Sequence, residues 1–261
     1  MKVREVLVHK PGFEISVVEK PGRWQFSDVP KLGYMQMEHD ELIRALQNEG
    51  VKVNYLLKPV EKRPKSYLIM DDAIVVDRKA VTCHLASFIR RGEEQLVKLR
   101  LKELDIKIAG HIFVPGLLQG SDVFFIDRNN AVVCVGNTSN DVGVEHFTKI
   151  MNIKVTPLNL ENLSNTQLNI INDIAIINED LAYGDAYNFF KENGFDIVVV
   201  QKRIAESMGL GFIQVDDQKI INIKSEINKK LKMLGYDVIE LEIKELLKGN
   251  CGIRSMCLPF Y

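Results

Sequence analysis

A unit that recurs along the chain restricts its fold more than any other feature of the sequence. From Asp72 the chain runs through a short apolar strand, a polar turn, a second apolar strand and an amphipathic helix. The same order starts again at Asp122, at Asp173 and, after a shorter interval, at Gly211. The polar turns carry the Asp, Asn and Asp-Arg residues that close β-hairpins, and each unit is followed by one further strand pattern.

The N-terminal stretch supplies a fifth unit. It reads as a strand, KVREVLVHK, then a helix, EHDELIRALQNEG, that ends at Gly50, then a second strand, VKVNYLL. In this helix Leu42, Ile43 and Leu46 have the spacing of one buried face. His39 lies on the same helix, and we expect it to cap the helix or to pair with a neighbouring side chain.

The five units predict how the chain closes. A ββαβ unit cannot bury its apolar face alone, whereas five in sequence can close on one another. We therefore predict an α/β fold, namely a five-bladed, pseudo-symmetric ββαβ propeller. No Pro/Ser-rich linker and no shift in composition divides the chain, so we expect a single domain over residues 1–261.

Composition excludes several classes of function. The 34 Lys and Arg residues nearly balance the 35 Asp and Glu residues, and nucleic-acid binding needs a basic surface instead. No apolar run approaches the length of a membrane span, and charges occupy the place of a signal peptide's apolar region. The four cysteines lack metal-ligand spacing. We therefore expect a cytoplasmic protein with reduced thiols and without metal, nucleic acid or membrane partners.

Two local patterns suggest a ligand site. Asp71 and Asp72 stand directly before an apolar strand, where they either form a simple turn or bind a planar cation such as guanidinium. Near the end of the chain, KGNCGIRSMCLPFY combines glycines with Cys251, Ser255 and Cys257. Such a run is typical of a tight loop that approaches a ligand, although a tail that pairs with the first strand would also explain it.

Five motifs, taken in order, resemble the guanidino-group modifying superfamily. They are EHDEL after FSDVP, DDAIVV, RRGEE, QGSDV and the terminal GNCGIRSMCLP, and together they span the chain. The superfamily contains arginine deiminases, dimethylarginine dimethylaminohydrolases and amidinotransferases, which are five-bladed α/β propellers, or penteins. The resemblance implies a central funnel in which a cysteine thiolate attacks a guanidinium compound with the help of a histidine. It also implies that the reaction needs no cofactor.

Part of that machinery is matched. The resemblance makes Asp72 the acid that grips the guanidinium and Asp71 its acidic neighbour. Arg90, or in second place its neighbour Arg91, matches an arginine that lines the substrate site. Glu161 falls where a second guanidinium-binding acid stands. Asp122 matches an acid with a largely structural role.

At the positions of the superfamily's reactive groups, this sequence has other residue types. Ser255 stands in the place of the nucleophilic cysteine, and Asn159 in that of the catalytic histidine. Gln119 replaces an acid, and Thr138 replaces the arginine that often holds the substrate's carboxylate. A serine hydroxyl needs an adjacent base to become a nucleophile, and an asparagine cannot exchange a proton as imidazole does.

The sequence is compatible with three functions, each of a different class. The first is a non-catalytic protein that binds a guanidino or amine metabolite through Asp72 and Glu161. The second is an active hydrolase or amidinotransferase on guanidino C–N bonds that uses a relocated thiol, Cys257 or Cys251. In an extended segment Cys257 would share a face with Ser255. The third is a protein-interaction module. The sequence leaves the enzymatic activity open and is compatible with a homodimer.

Overall fold

Each of the five repeats forms a small sheet of three strands. The computed structural model describes residues 2–57, 61–160 and 165–261. The strands are β1 Glu5–Val8, β2 Lys52–Tyr55, β3 Ala73–Val76, β4 Lys79–Thr82, β5 Lys107–His111, β6 Val123–Phe125, β7 Asn130–Val135, β8 Lys154–Asn159, β9 Leu168–Ile171, β10 Ile174–Asn178, β11 Asp196–Val200, β12 Ile213–Asp216, β13 Lys219–Ile223, β14 Asp237–Leu241 and β15 Leu258–Pro259.

The strand order is the same in every sheet. In the sheet of β3, β4 and β5, the middle strand pairs antiparallel with β3 and parallel with β5. The sheets β6-β7-β8, β9-β10-β11 and β12-β13-β14 repeat this arrangement. A parallel neighbour needs a crossover connection, and a helix supplies it in each repeat. The predicted ββαβ unit is therefore confirmed.

The first sheet joins the two ends of the described chain. Its middle strand, β1, pairs parallel with β2 and antiparallel with β15, with Val6 opposite Pro259 and Leu7 opposite Leu258. The tail therefore pairs with the first strand, as one of the two readings of the terminal run expected. This pairing completes the fifth sheet and gives the pseudo-symmetric propeller that the sequence predicts.

The helices connect the strands of each repeat. They are α1 Leu32–Asn48, α2 Glu93–Glu103, α3 Asp141–Met151, α4 Asp185–Glu192, α5 Lys202–Glu206 and α6 Ile227–Met233. Leu42, Ile43 and Leu46 are buried as predicted, but α1 begins six residues before the EHDEL segment. His39 is fully buried within α1, and neither ring nitrogen has a partner among the described residues, so the expected cap or pair is wrong. No described helix combines the length and apolarity needed to cross a membrane.

The core lies between neighbouring sheets. On β3, Ile74 and Val76 pack toward the third repeat, in a cluster that includes Val133 of β7. The alternate residues Ala73 and Val75 pack in a different cluster with the first sheet. Successive side chains on a strand point to opposite faces, so each sheet is buried on both sides between its two neighbours. This explains why the strands read as continuous apolar runs.

Candidate guanidinium site

Two short turns from different repeats meet at the start of the site. The turn Ile69–Asp72 precedes β3, and the turn Gly120–Asp122 precedes β6. A Cβ on Gly120 would lie 2.1 Å from the carbonyl oxygen of Met70, so only glycine permits this approach. The QGSDV motif therefore brings the third repeat against the paired acids of the second.

A third turn, Ile253–Met256, carries Ser255 and contacts the Ile69–Asp72 turn. Arg254 fixes it in place, since its Nη1 donates to the carbonyl oxygen of Ser121 at 2.7 Å and its Nη2 to that of Val123 at 2.8 Å. The guanidinium also lies 4.0 Å from the ring centroid of Phe124. The C-terminal turn is thus attached to the third repeat through a residue that the sequence did not single out.

Asp71 is the acid whose orientation is best defined. The hydroxyl of Ser121 donates to its Oδ1, and Nη1 of Arg90 donates to its Oδ2. Arg90 also donates from Nε and Nη2 to Oε2 of Glu93, at 2.9 and 2.8 Å. All four side chains are buried, so Arg90 holds Asp71 in the wall of the site.

Asp72 lies in a different environment from its neighbour. It is buried, and neither of its carboxyl oxygens has a hydrogen-bond partner among the described residues. Burial, followed by the charge of Glu93, raises the pKa of Asp72 well above its usual range. The two adjacent acids therefore differ, because Asp71 is paired with Arg90 whereas the neutral form of Asp72 is favoured.

A cavity of about 420 Å³ opens over Asp71. A space of this size accommodates a small metabolite. Polar side chains from several repeats line it, among them Lys65, Asp71, Arg90, Gln119, Thr138 and Cys251. Four residues predicted from the sequence, namely Asp71, Arg90, Gln119 and Thr138, are thus brought together on one surface.

The cavity lining does not include every residue predicted from the sequence. Among the described residues, Asp72, Ser255 and Asn159 are not part of the cavity lining. Ser255 is only 5% exposed within its turn, and Asn159 lies at the exposed end of β8. Glu161 lies outside the described residues. Thr138 donates to Asp122 Oδ2 at 2.7 Å, which agrees with the structural role that the resemblance gives this acid.

The thiols differ in position. Cys257 is buried among apolar core residues, and burial raises its pKa to about 12. The expected sharing of a face by Cys257 and Ser255 assumed an extended segment, whereas residues Ile253–Met256 form a turn. Cys251 does line the cavity, and burial first and Asp71 second raise its pKa to about 11. Within the described part of the chain, no three His, Cys, Asp or Glu side chains are grouped to hold a metal ion.

The chain is similar in sequence and fold to known proteins. No family model matches the chain. Dimethylarginine dimethylaminohydrolase from Pseudomonas aeruginosa is 24% identical over 229 residues, which cover 85% of this chain and 87% of that protein. A shorter stretch of 57 residues, 21% of this chain and 14% of the relative, is 42% identical to arginine deiminase from Streptococcus sanguinis.

A solved structure extends the similarity to the whole fold. It is a cysteine-to-serine variant of the Pseudomonas aeruginosa dimethylarginine dimethylaminohydrolase in complex with citrulline. It superposes with a TM-score of 0.85 at 20% identity and covers 100% of both chains. The chain therefore has the five-sheet pentein fold of that enzyme, and its sequence is similar to two members of the guanidino-group modifying superfamily.

Proposed function

We propose that this protein binds a guanidino compound in the cavity over Asp71 and does not hydrolyse it by the cysteine–histidine route. One observation carries the proposal, which is that a buried carboxylate, fixed by Arg90 and Ser121, lines a cavity large enough for a metabolite. A carboxylate accepts about four hydrogen bonds, and side chains of the described residues donate two to Asp71, which leaves lone pairs for a guanidinium in this proposal.

The sequence predicts two further acids for the proposed guanidinium site. Asp72 has no described donor to either oxygen and does not line the cavity, so its guanidinium-binding role, which the resemblance gives it, stays a prediction. Glu161 keeps the role that the resemblance gives it, as a prediction. The Pseudomonas aeruginosa variant supports binding without a thiol, because it holds citrulline although a cysteine has been changed to serine.

Two positions of the sequence lack the side chains that hydrolysis by this route requires. Ser255 stands where the superfamily's thiol is expected, and Asn159 where its imidazole is expected. A hydroxyl without a base is a weak nucleophile, and an amide side chain neither takes up nor returns a proton near neutral pH. Loss of one member of such a unit lowers the rate by about 10⁴–10⁶-fold.

The test combines binding and turnover. Arginine, agmatine, dimethylarginine and des-amino-arginine are titrated by calorimetry, and release of citrulline, urea, ammonia or amine is assayed. The unmodified protein is expected to bind at least one compound without product release. The double variant Ser255→Cys/Asn159→His is expected to gain turnover, whereas Ser255→Ala, its matched control, is not. Turnover by the unmodified protein would refute the non-catalytic part of the proposal, and no binding of any compound would favour a protein-interaction module.

A second candidate function rests on Cys251, the thiol that lines the cavity with Asp71. In this alternative its thiolate attacks the guanidinium carbon, the C–N bond breaks with release of an amine or ammonia, and water then hydrolyses the thiouronium intermediate. The raised pKa of Cys251, about 11, opposes thiolate formation at neutral pH and makes this the weaker candidate. Turnover that is abolished in Cys251→Ala and kept in Cys257→Ala would establish it.

A further inference from the structure

Lys65 is a buried cation that the proposed guanidinium site does not use. The side chain lines the cavity, yet the residue is only 6% exposed. No described residue forms an ion pair with its Nζ or accepts a hydrogen bond from it. The ring centroid of Phe26 lies 5.8 Å from the nitrogen.

An ammonium in this position needs a partner. Burying an unpaired charge costs several kcal/mol, so the group either loses its proton or meets an anion. Burial indeed lowers the pKa of Lys65. Asp71 is the acid among the described lining residues, and its carboxylate is already paired with Arg90. No described acid of the lining is therefore left to pair with Lys65, and the anion of a ligand would supply that partner.

We propose that Lys65 binds the carboxylate of a guanidino acid whose guanidinium is held at Asp71. This inference rests on the proposed function and adds the class of ligand. The cavity then carries a cation and an acid for the two ends of a zwitterion. Thr138 lines the same cavity where the superfamily often has a carboxylate-binding arginine, so Lys65 supplies the positive charge from another part of the chain.

The same charges determine what else the ligand carries. A free amine would bring an ammonium close to Lys65, and the described lining offers no carboxylate besides Asp71 to compensate it. A guanidino acid without an amine next to its carboxylate therefore fits better than arginine. Agmatine, which has an amine and no carboxylate, fits worst.

Calorimetric titration tests this with compounds related to arginine. Des-amino-arginine keeps the guanidinium and the carboxylate, whereas agmatine keeps the guanidinium and the amine. We expect des-amino-arginine to bind at least about tenfold more tightly than agmatine. Lys65→Met should remove this preference by weakening des-amino-arginine about tenfold or more, without weakening agmatine. The control Lys62→Met removes the same charge from an exposed neighbour and should leave both affinities unchanged.

A charge reversal keeps the test informative if the methionine variant folds poorly. Lys65→Glu should invert the preference toward agmatine, and circular dichroism checks that each variant is folded. Equal binding of both compounds, or a preference that survives in folded Lys65→Met, would overturn the role of Lys65 while leaving a guanidinium site at Asp71. Failure of every guanidino compound to bind would overturn both.

Discussion

The guanidinium of Arg90 is bonded to the carboxylate of Asp71, and both side chains are buried. The resemblance places this arginine beside the substrate, whereas in the structure its donors are directed to Asp71, to Glu93 and to the carbonyl oxygen of Leu68. Arg90 is therefore a positioning residue that fixes the direction of the acid. In the proposed function, binding of a guanidinium depends on this charge network, which is in place before the ligand arrives.

Removing Arg90 should destabilise the protein strongly. Arg90→Met leaves two buried carboxylates, Asp71 and Glu93, without their partner, and such a loss costs about 3–5 kcal/mol. We expect the free energy of unfolding in urea to fall by that amount. The exposed neighbour provides the control, since Arg91→Met should change it by less than about 0.5 kcal/mol. Equal effects of the two substitutions would show that the network contributes nothing to stability.

A methyl group at Gly120 should separate the two turns of the site. The added carbon would lie 2.1 Å from the Met70 carbonyl oxygen and 2.7 Å from that of Ala73. We expect Gly120→Ala to lower the free energy of unfolding by about 1–3 kcal/mol and to weaken guanidino binding. Gly184→Ala is the control, since its added carbon meets no atom within 4 Å. Unchanged affinity in a folded Gly120→Ala would mean that this contact does not shape the site.

His39 should make the protein sensitive to mild acid. Burial lowers its pKa from 6.5 to about 4. Between these values the unfolded chain binds a proton at this histidine and the folded chain does not, so stability falls as the pH falls. The contribution present at neutral pH and lost near pH 4 is about 3 kcal/mol.

Replacing His39 by leucine isolates this contribution from that of other titrating groups. His39→Leu should lose less stability than the unmodified protein between pH 6.5 and pH 4, as measured by urea unfolding at each pH. His111→Leu, at an exposed histidine, serves as the control. Parallel pH profiles for the unmodified protein and His39→Leu would show that His39 takes up its proton in the folded state.

The repeated pattern predicted the fold because the order of strands and helix within a unit, and the repetition of that unit along the chain, determine the fold. Apolar strands followed by an amphipathic helix and a further strand specify a ββαβ unit wherever they occur, and five such units bury their faces only against each other. The extent of α1 was harder to predict. Its first turns include Gly33 and Tyr34, and they are helical although no N-capping side chain marks their start.

The site was only partly predictable, because local patterns do not show which way a side chain points. Asp71 and Asp72 are adjacent in sequence, yet one lines the cavity and the other is buried without a described partner. Cys257 was expected to share a face with Ser255 in an extended segment. This was wrong because a turn, rather than a strand, precedes Cys257. The sequence around Lys65 did not predict that this side chain is buried at the cavity. Its burial arises from contacts with other parts of the chain, such as Phe26, which a single segment does not reveal.

The central claim is that Asp71 binds a guanidinium without turnover, and one titration tests it most directly. The four guanidino compounds are titrated into the unmodified protein and into Asp71→Asn, and products are assayed in the same samples. Asp77→Asn, at an exposed turn, is the matched control. The account predicts saturable binding that is lost in Asp71→Asn, kept in Asp77→Asn and free of product. Equal affinity in the unmodified protein and a folded Asp71→Asn would contradict it.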